Sequence, residues 1–127
     1  MGYAMRPELS KNNPWWISKH RYFELKHFCL QYHEWEENYR NVKLTLAQQK
    51  EDPTGYLATK KSYYEAKMKL VKDTAYNTDL EIGKWIFLGV IDDRSYNYLK
   101  MVKDIPCGKD MYYDRVRKFF WLLSENT

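Results

Sequence analysis

Apolar positions recur along this chain at helical spacing, and no stretch alternates apolar and polar residues in the manner of a half-buried strand. Tyr22, Leu25, Cys29 and Tyr32 stand at i, i+3, i+7 and i+10. They line one face of a helix from about Ser18 to Tyr32, with Ser18 as its N-cap. A second, more acidic helix runs from about Glu34 to Gln49, with Glu34, Glu36 and Glu37 in the first turn, where the helix dipole favours anions. Nothing at His33 forces the break between the two. The clearest boundary is Glu51-Asp52-Pro53-Thr54-Gly55. Asp52 can cap a third helix whose first position is Pro53, a residue that loses nothing there by lacking an N–H. This helix reaches about Tyr76, with Leu57, Tyr64, Met68, Val71 and Ala75 on one face and Lys61, Lys69 and Lys72 on another. Thr78 and Glu81 have capping-box spacing and open a fourth helix, about Asp79 to Ile91. Its Ile82, Trp85, Ile86, Phe87 and Leu88 predict the central core helix.

The end of the chain is patterned differently. Asp92-Asp93-Arg94-Ser95 is a polar stop followed by an N-cap, and Tyr96 to Lys103 reads as a short helix with Tyr96, Leu99 and Val102 inward. Ile105-Pro106-Cys107-Gly108 must turn, because Pro106 disfavours helix at Ile105 and has no donor. Asp110 is then expected to cap the last helix. Tyr112, Val116, Phe119, Phe120 and Leu123 fall within one arc of it, which leaves Asp110, Asp114, Arg117 and Lys118 outward and Arg115 at the edge. These elements predict an all-α fold, a single compact domain of five or six helices ending in a helix-turn-helix. Residues 1–17 form an N-terminal arm, 18–94 the helical support and 95–127 the terminal motif.

Composition narrows the class. At 127 residues, with 30% charged and 44% hydrophobic, the chain can bury one core and is far from the pattern of disorder. Its 17% aromatic content, with 12 Tyr and 5 Trp, predicts a core of rings whose OH and NH groups reach polar neighbours. Cys29 and Cys107 do not make the closely spaced framework of a stapled secreted domain, so a reduced cytoplasm is expected. The longest apolar run, Trp85 to Ile91, is too short to span a membrane, and Met1 to Asn13 lacks a signal-peptide core. The net charge of +4 is unevenly spread: 1–33, 53–76 and 95–127 are basic, 34–52 and 77–94 acidic. Such a balance is compatible with nucleic acid without requiring it.

Candidate chemistry concentrates in the last thirty or so residues. A short helix, a tight turn and a longer amphipathic helix with basic outward residues follow helix-turn-helix grammar, in which the second helix enters the major groove. Lys109, Tyr112, Tyr113, Arg115, Arg117 and Lys118 are the residues with suitable side chains. The plain alternative is an αα-hairpin with a solvated face, and Asp110 and Asp114 dilute the basic character; the pattern alone weighs the two equally. His20, Glu24 and His27 share a helix face, and Glu24-x-x-His27 has the spacing of carboxylate di-iron bundles. No second such pair exists, so a solvated face is expected and no metal. The helix N-terminus beside Cys107 would lower its pKa, but no His lies near it in sequence to act as a base. No P-loop, dinucleotide glycine pattern, nucleophile elbow or zinc-finger spacing occurs, so neither an enzyme nor a cofactor is expected. In the pairs Trp15-Trp16, Tyr63-Tyr64 and Tyr112-Tyr113, at most one ring can face a given surface. Trp15-Trp16 is expected to staple the arm across the body.

Several stretches carry a resemblance: NPWWISKHRYFELKHFCLQY at 13–32, YL at 98–99, DIPCGKDMYYDR at 104–115 and FFWLL at 119–123. Together they resemble a family of small proteins encoded in prophages of Gram-positive bacteria, the match covering both ends and leaving about 40–79 variable. The C-terminal part is also similar to the helix-turn-helix of ArpU- and RinA-type phage late-gene regulators and, more distantly, to the promoter-reading domain of sigma factors. The chain departs from the family at His33, where relatives carry Pro, and at Asp93-Arg94, where they carry Gly-Leu. The resemblance implies a transcriptional regulator that binds double-stranded DNA. A homodimer or an RNA polymerase partner is implied too, since one such module binds weakly. The rival expectation is a phage protein that binds and inhibits a host protein, such as a defence-system nuclease, in the anti-CRISPR manner.

Overall fold

The computed structural model describes residues 11–49 and 51–127. Residues 1–10 of the expected arm, and with them most of the stretch read as lacking a signal-peptide core, lie outside the described residues. The described residues form six helices, α1 (Lys19–Leu30), α2 (Tyr32–Gln48), α3 (Tyr56–Thr78), α4 (Gly83–Asp92), α5 (Tyr96–Lys103) and α6 (Lys109–Glu125), and no strand. The all-α class follows directly. No helix among them is long and apolar enough to cross a membrane.

Local chemistry explains where these helices begin and end. Ser18 caps α1 as expected, its hydroxyl accepting the Arg21 N–H at 3.2 Å. Between α1 and α2 only Gln31 intervenes, itself in right-handed helical conformation (φ −81°, ψ −2°). The second helix therefore starts at Tyr32 rather than Glu34. The third helix starts later than Pro53. Gly55 precedes it in the left-handed region (φ 70°), which an L side chain adopts only under strain. Asp52 still serves this terminus from farther back, accepting the N–H groups of Leu57 (3.4 Å) and Ala58 (3.1 Å).

The expected capping box at Thr78 and Glu81 is not formed. Thr78 is still helical, buried, and donates its hydroxyl to the Thr74 carbonyl at 2.7 Å. Asp79, in extended conformation, takes the role instead: its Oδ1 accepts the N–H of Glu81 (2.9 Å) and of Ile82 (3.2 Å). The fourth helix accordingly opens at Gly83, not Asp79. Asp93 (φ 52°) closes α4 and Asp104 (φ 55°) closes α5, both in the left-handed conformation that Asp tolerates better than most residues.

Packing gathers the helices around one core. Helix α4 touches α1, α3, α5 and α6 and buries Gly83, Ile86, Gly89, Val90 and Ile91, as a central helix should. Trp85, Phe87 and Leu88 are only half-buried along its edge. The core cluster draws on every helix, with Tyr22, Leu25 and Cys29 from α1 and Tyr112, Val116, Phe119, Phe120 and Leu123 from α6. Each such apolar side chain stabilises the fold by about 1.5–3 kcal/mol when fully buried. Tyr22 meets Phe120 edge-on at 5.1 Å. One residue earlier, the Arg21 guanidinium donates to the carbonyls of Ser124 (3.1 Å) and Thr127 (3.3 Å) and to the Thr127 hydroxyl (2.5 Å). The first and last helices are thus fastened to each other.

Helices α2 and α3 lie along each other as a hairpin. At its root the Lys67 ammonium sits 4.7 Å from the Tyr63 ring, 5.0 Å from Phe28 and 5.6 Å from Trp35, which ties α3 to α1 and α2 through cation–π contacts. His33 ties α2 to the end of α4, with Nδ1 2.8 Å from Glu36 Oε1 and Nε2 2.6 Å from Asp92 Oδ1.

Candidate nucleic-acid interface

The segment read as a helix-turn-helix comprises α5, a connection over 104–108, and α6. Its internal geometry follows from a few groups. Ser95 caps α5 by accepting the Tyr98 N–H at 3.2 Å. After Asp104 the chain reverses so that the Ile105 N–H reaches the Leu99 carbonyl at 3.1 Å, and the Ile105 side chain is fully buried. The Tyr96 hydroxyl donates to the Cys107 carbonyl (2.6 Å), while the Tyr96 N–H donates to the Tyr113 hydroxyl (3.2 Å). These two bonds lock the start of α5 against the start of α6. Trp85 adds a third strap from α4, donating its ring N–H to the Lys103 carbonyl at 2.8 Å. The rings of this region keep polar edges, as the composition implied.

Several sequence-level expectations need correction here. Val102 is exposed rather than inward, because α5 turns only Tyr96 and Leu99 to the core. Asp110 is not the cap of α6; it lies within the first turn, behind Gly108, and no side chain caps this helix. The thiol of Cys107 is pushed up rather than down, by partial burial and then by the charge of Asp79. Cys29 is fully buried, and burial pushes its thiol up strongly. His20, Glu24 and His27 are exposed, and no group of three or more His, Cys, Asp or Glu side chains among the described residues is placed to hold a metal ion.

The six candidate DNA contacts separate sharply. Tyr112 is 2% exposed and cannot reach any partner; a Cβ at Gly89 would collide with its hydroxyl, so Gly89 is what lets the ring enter. Tyr113 is half-buried and its hydroxyl is engaged by Tyr96. Arg115 reaches back to the α3–α4 junction: Nε donates to Asp79 Oδ2 at 3.0 Å and Nη1 to Asp114 Oδ2 at 2.6 Å. Although burial opposes ionisation of Asp79, hydrogen bonds from the Ile82 N–H, Arg115 and the Glu81 N–H hold its carboxyl below the ordinary carboxylate range. Arg115 is therefore a strut between helices. Arg117 is half-buried, with Nε enclosed and without a hydrogen-bond partner. Lys118 lies 5.6 Å over the Trp15 ring, which packs edge-on against Trp121 at 5.4 Å. Trp15 is thus the half of the Trp pair that staples the arm to α6. Only Lys109 is exposed.

The accessible part of α6 is consequently its N-terminal end. From Tyr112 to Ser124 no residue is exposed, whereas Lys109, Asp110 and Met111 are. The first-turn N–H groups of a helix have no intrahelical partner and carry partial positive charge. Lys100 and Lys103, both exposed in the last turn of α5, add two ammonium groups to the same motif. The sequence reading passed over these lysines. At helical spacing Lys103 falls between the inward Tyr96 and Leu99, so periodicity gives no sign of its exposure at the end of α5. Asp104 and Asp110 are exposed as well. Comparison with protein-family models, with curated proteins and with solved structures gives no match.

Proposed function

We propose that this chain is a phage-encoded, DNA-binding transcriptional regulator that meets duplex DNA with the N-terminal end of α6 and the last turn of α5. The observation that carries this reading is the uncapped, exposed first turn of α6, presented by a helix otherwise embedded in the protein and accompanied by Lys100, Lys103 and Lys109. Helix N-termini and lysines bind phosphates, and in helix-turn-helix proteins the N-terminal residues of the second helix approach base edges. Asp110 can accept from a cytosine amino group and Met111 can touch a thymine methyl. Phage origin and a regulatory role rest on the resemblance of residues 13–32 and 98–123; RNA polymerase is the partner that role brings with it. The reading is one of binding, without catalysis and without a cofactor. It moves the interface away from Arg115, Arg117 and Lys118 and keeps Lys109.

The test is duplex binding, with DNA from the gene's own region, measured across a salt series. Replacing Lys100, Lys103 and Lys109 with Ala should weaken binding and flatten the log–log salt slope by about 2–3 units. Lys118→Ala should leave both unchanged. A wild-type protein that shifts no such fragment at low salt and micromolar concentration overturns the reading. One observation favours the rival, a protein that binds and inhibits a host nuclease: Met101 and Val102 on α5 are 85% and 57% exposed, an apolar surface that DNA phosphates do not explain. Capture of a host protein that survives high salt would favour that rival.

A further inference from the structure

Tyr56, Lys60, Tyr63 and Lys67 stand at i, i+4, i+7 and i+11 of α3, a single stripe along the helix. Tyr56 and Tyr63 are both more than half exposed, while Tyr64 packs against the core cluster. Of the Tyr63-Tyr64 pair it is therefore Tyr63 that faces solvent. The two exposed rings belong to residues two helical turns apart, about 10.5 Å along the axis. Between them lies a cleft of about 270 Å³, lined by Tyr56, Thr59, Lys60, Tyr63 and Tyr64. Lys67 sits 4.7 Å from the Tyr63 ring and does not line the cleft, so that ring is braced on one side and open on the other. We propose that the cleft takes an unpaired base of a single-stranded nucleic acid, stacked on Tyr63 and flanked by Tyr56, with Lys60 on a neighbouring phosphate.

Ring, size and charge select this occupant together. Every base has a π-face, and an exposed phenol ring offers a matching surface whatever the sequence. In a duplex those faces are covered by the neighbouring base pairs, so only an unpaired base can enter. The volume falls below that of pockets enclosing drug-sized ligands and suits one flat ring system. Because a single helix lines the cleft, it is open, and a strand can continue past it on either side. The charges favour phosphate. Glu65, the carboxylate nearest to Lys60 in sequence, is engaged by Lys61 at 3.6 Å. Lys60 itself makes no ion pair among the described residues, and its ammonium lies 5.2 Å over the Tyr56 ring. A charge-assisted hydrogen bond to phosphate is stronger than an exposed cation–π contact, so the ammonium can leave the ring for it. This inference concerns α3 and does not rest on the reading of α6.

Fluorescence anisotropy of the whole chain with a labelled oligothymidine of about 12 nucleotides, long enough for a single-strand site, tests the proposal. The wild type should bind this strand at low salt and micromolar concentration. Tyr63→Ala should weaken binding at least about fivefold, the loss of one stacked base, with circular dichroism unchanged because the side chain is exposed. Tyr63→Phe should bind like the wild type, since stacking needs the ring and not its hydroxyl. Lys60→Ala should flatten the log–log salt slope by about 0.7, one phosphate contact on a single strand. Replacing Lys100, Lys103 and Lys109 together should leave binding to the strand unchanged, which separates this cleft from the interface at α6. A wild type that does not bind overturns the proposal, as does a Tyr63→Ala variant that binds equally well. A loss in Tyr63→Phe as large as in Tyr63→Ala overturns it too. Thymidine monophosphate that displaces the strand at equal concentration would make a free nucleotide the ligand instead.

Discussion

The α2–α3 hairpin and the α4–α6 end are built from similar numbers of apolar residues put to different use. Among the described residues between Glu36 and Leu70 Val42 alone is buried, whereas α6 buries Tyr112, Val116, Phe119, Phe120 and Leu123 within one helix. Tyr32 and Trp35 at the root of the hairpin are buried, but farther out Tyr56 is 60% and Tyr63 56% exposed, beneath Lys60 and Lys67. At the other end the rings face inward and the polar edges are tied by Tyr96, Tyr113 and Trp85. Stability is therefore uneven. The hairpin should open locally at lower free energy than the core, because few buried contacts hold it.

The largest test of that contrast is Phe120→Ala, which should cost about 3–5 kcal/mol in chemical denaturation and lower the melting temperature of the whole protein. A loss comparable to a surface substitution would mean that the apolar face of α6 is not packed into the core. A smaller effect is expected from Lys67→Ala, about 0.5–2 kcal/mol, for removing an ammonium shared by three rings. Its signature should be local. Hydrogen exchange should quicken in α2 and the first half of α3 and stay unchanged in α6; uniform quickening would show the hairpin to be cooperative with the core.

The capping errors and the packing successes have one physical origin. Helical periodicity placed all five core residues of α6 correctly, and it found Tyr96 and Leu99 of α5 and the central position of α4, because burial of a face is written into spacing. Caps are decided by where the incoming chain points. Asp79 displaced Thr78, and Gly108 displaced Asp110, since several short polar residues near each boundary could serve. The candidate site failed for a further reason. A helical wheel gives directions from the axis and is silent about what arrives there: Asp79 came to Arg115, Trp15 to Lys118 and Tyr96 to Tyr113. Only the N-terminal end, where no other element arrives, kept the exposure that the wheel assigned to the whole face.

The smallest predicted effect concerns pH and the joint between the two regions. Hydrogen bonding to Asp92 raises the pKa of His33 above its ordinary value; burial opposes this, and Glu36 adds to it. A group whose folded pKa is raised contributes stability that is fully present below its unfolded pKa and is lost as pH rises through the folded one. The protein should thus lose a little stability on passing upward from about pH 6.5, and His33→Gln should flatten that part of the profile. An identical profile in the variant would assign the titration elsewhere. Because His33 is largely exposed, solvent screens the effect.

The fastening of Arg21 and Tyr22 to α6 also bears on how the protein comes into being. The partners of Arg21 at the end of the chain, Ser124 and Thr127, lie more than a hundred positions further along, so α1 can neither bury Tyr22 against Phe120 nor give the Arg21 guanidinium a partner beyond Glu24 until α6 has left the ribosome. Contacts of such separation slow folding, because the loop between them must be closed before they contribute. During synthesis the part of the Tyr22, Leu25 and Cys29 stripe that α6 covers stays open to chaperones until α6 arrives, although α4 can pack on α1 earlier.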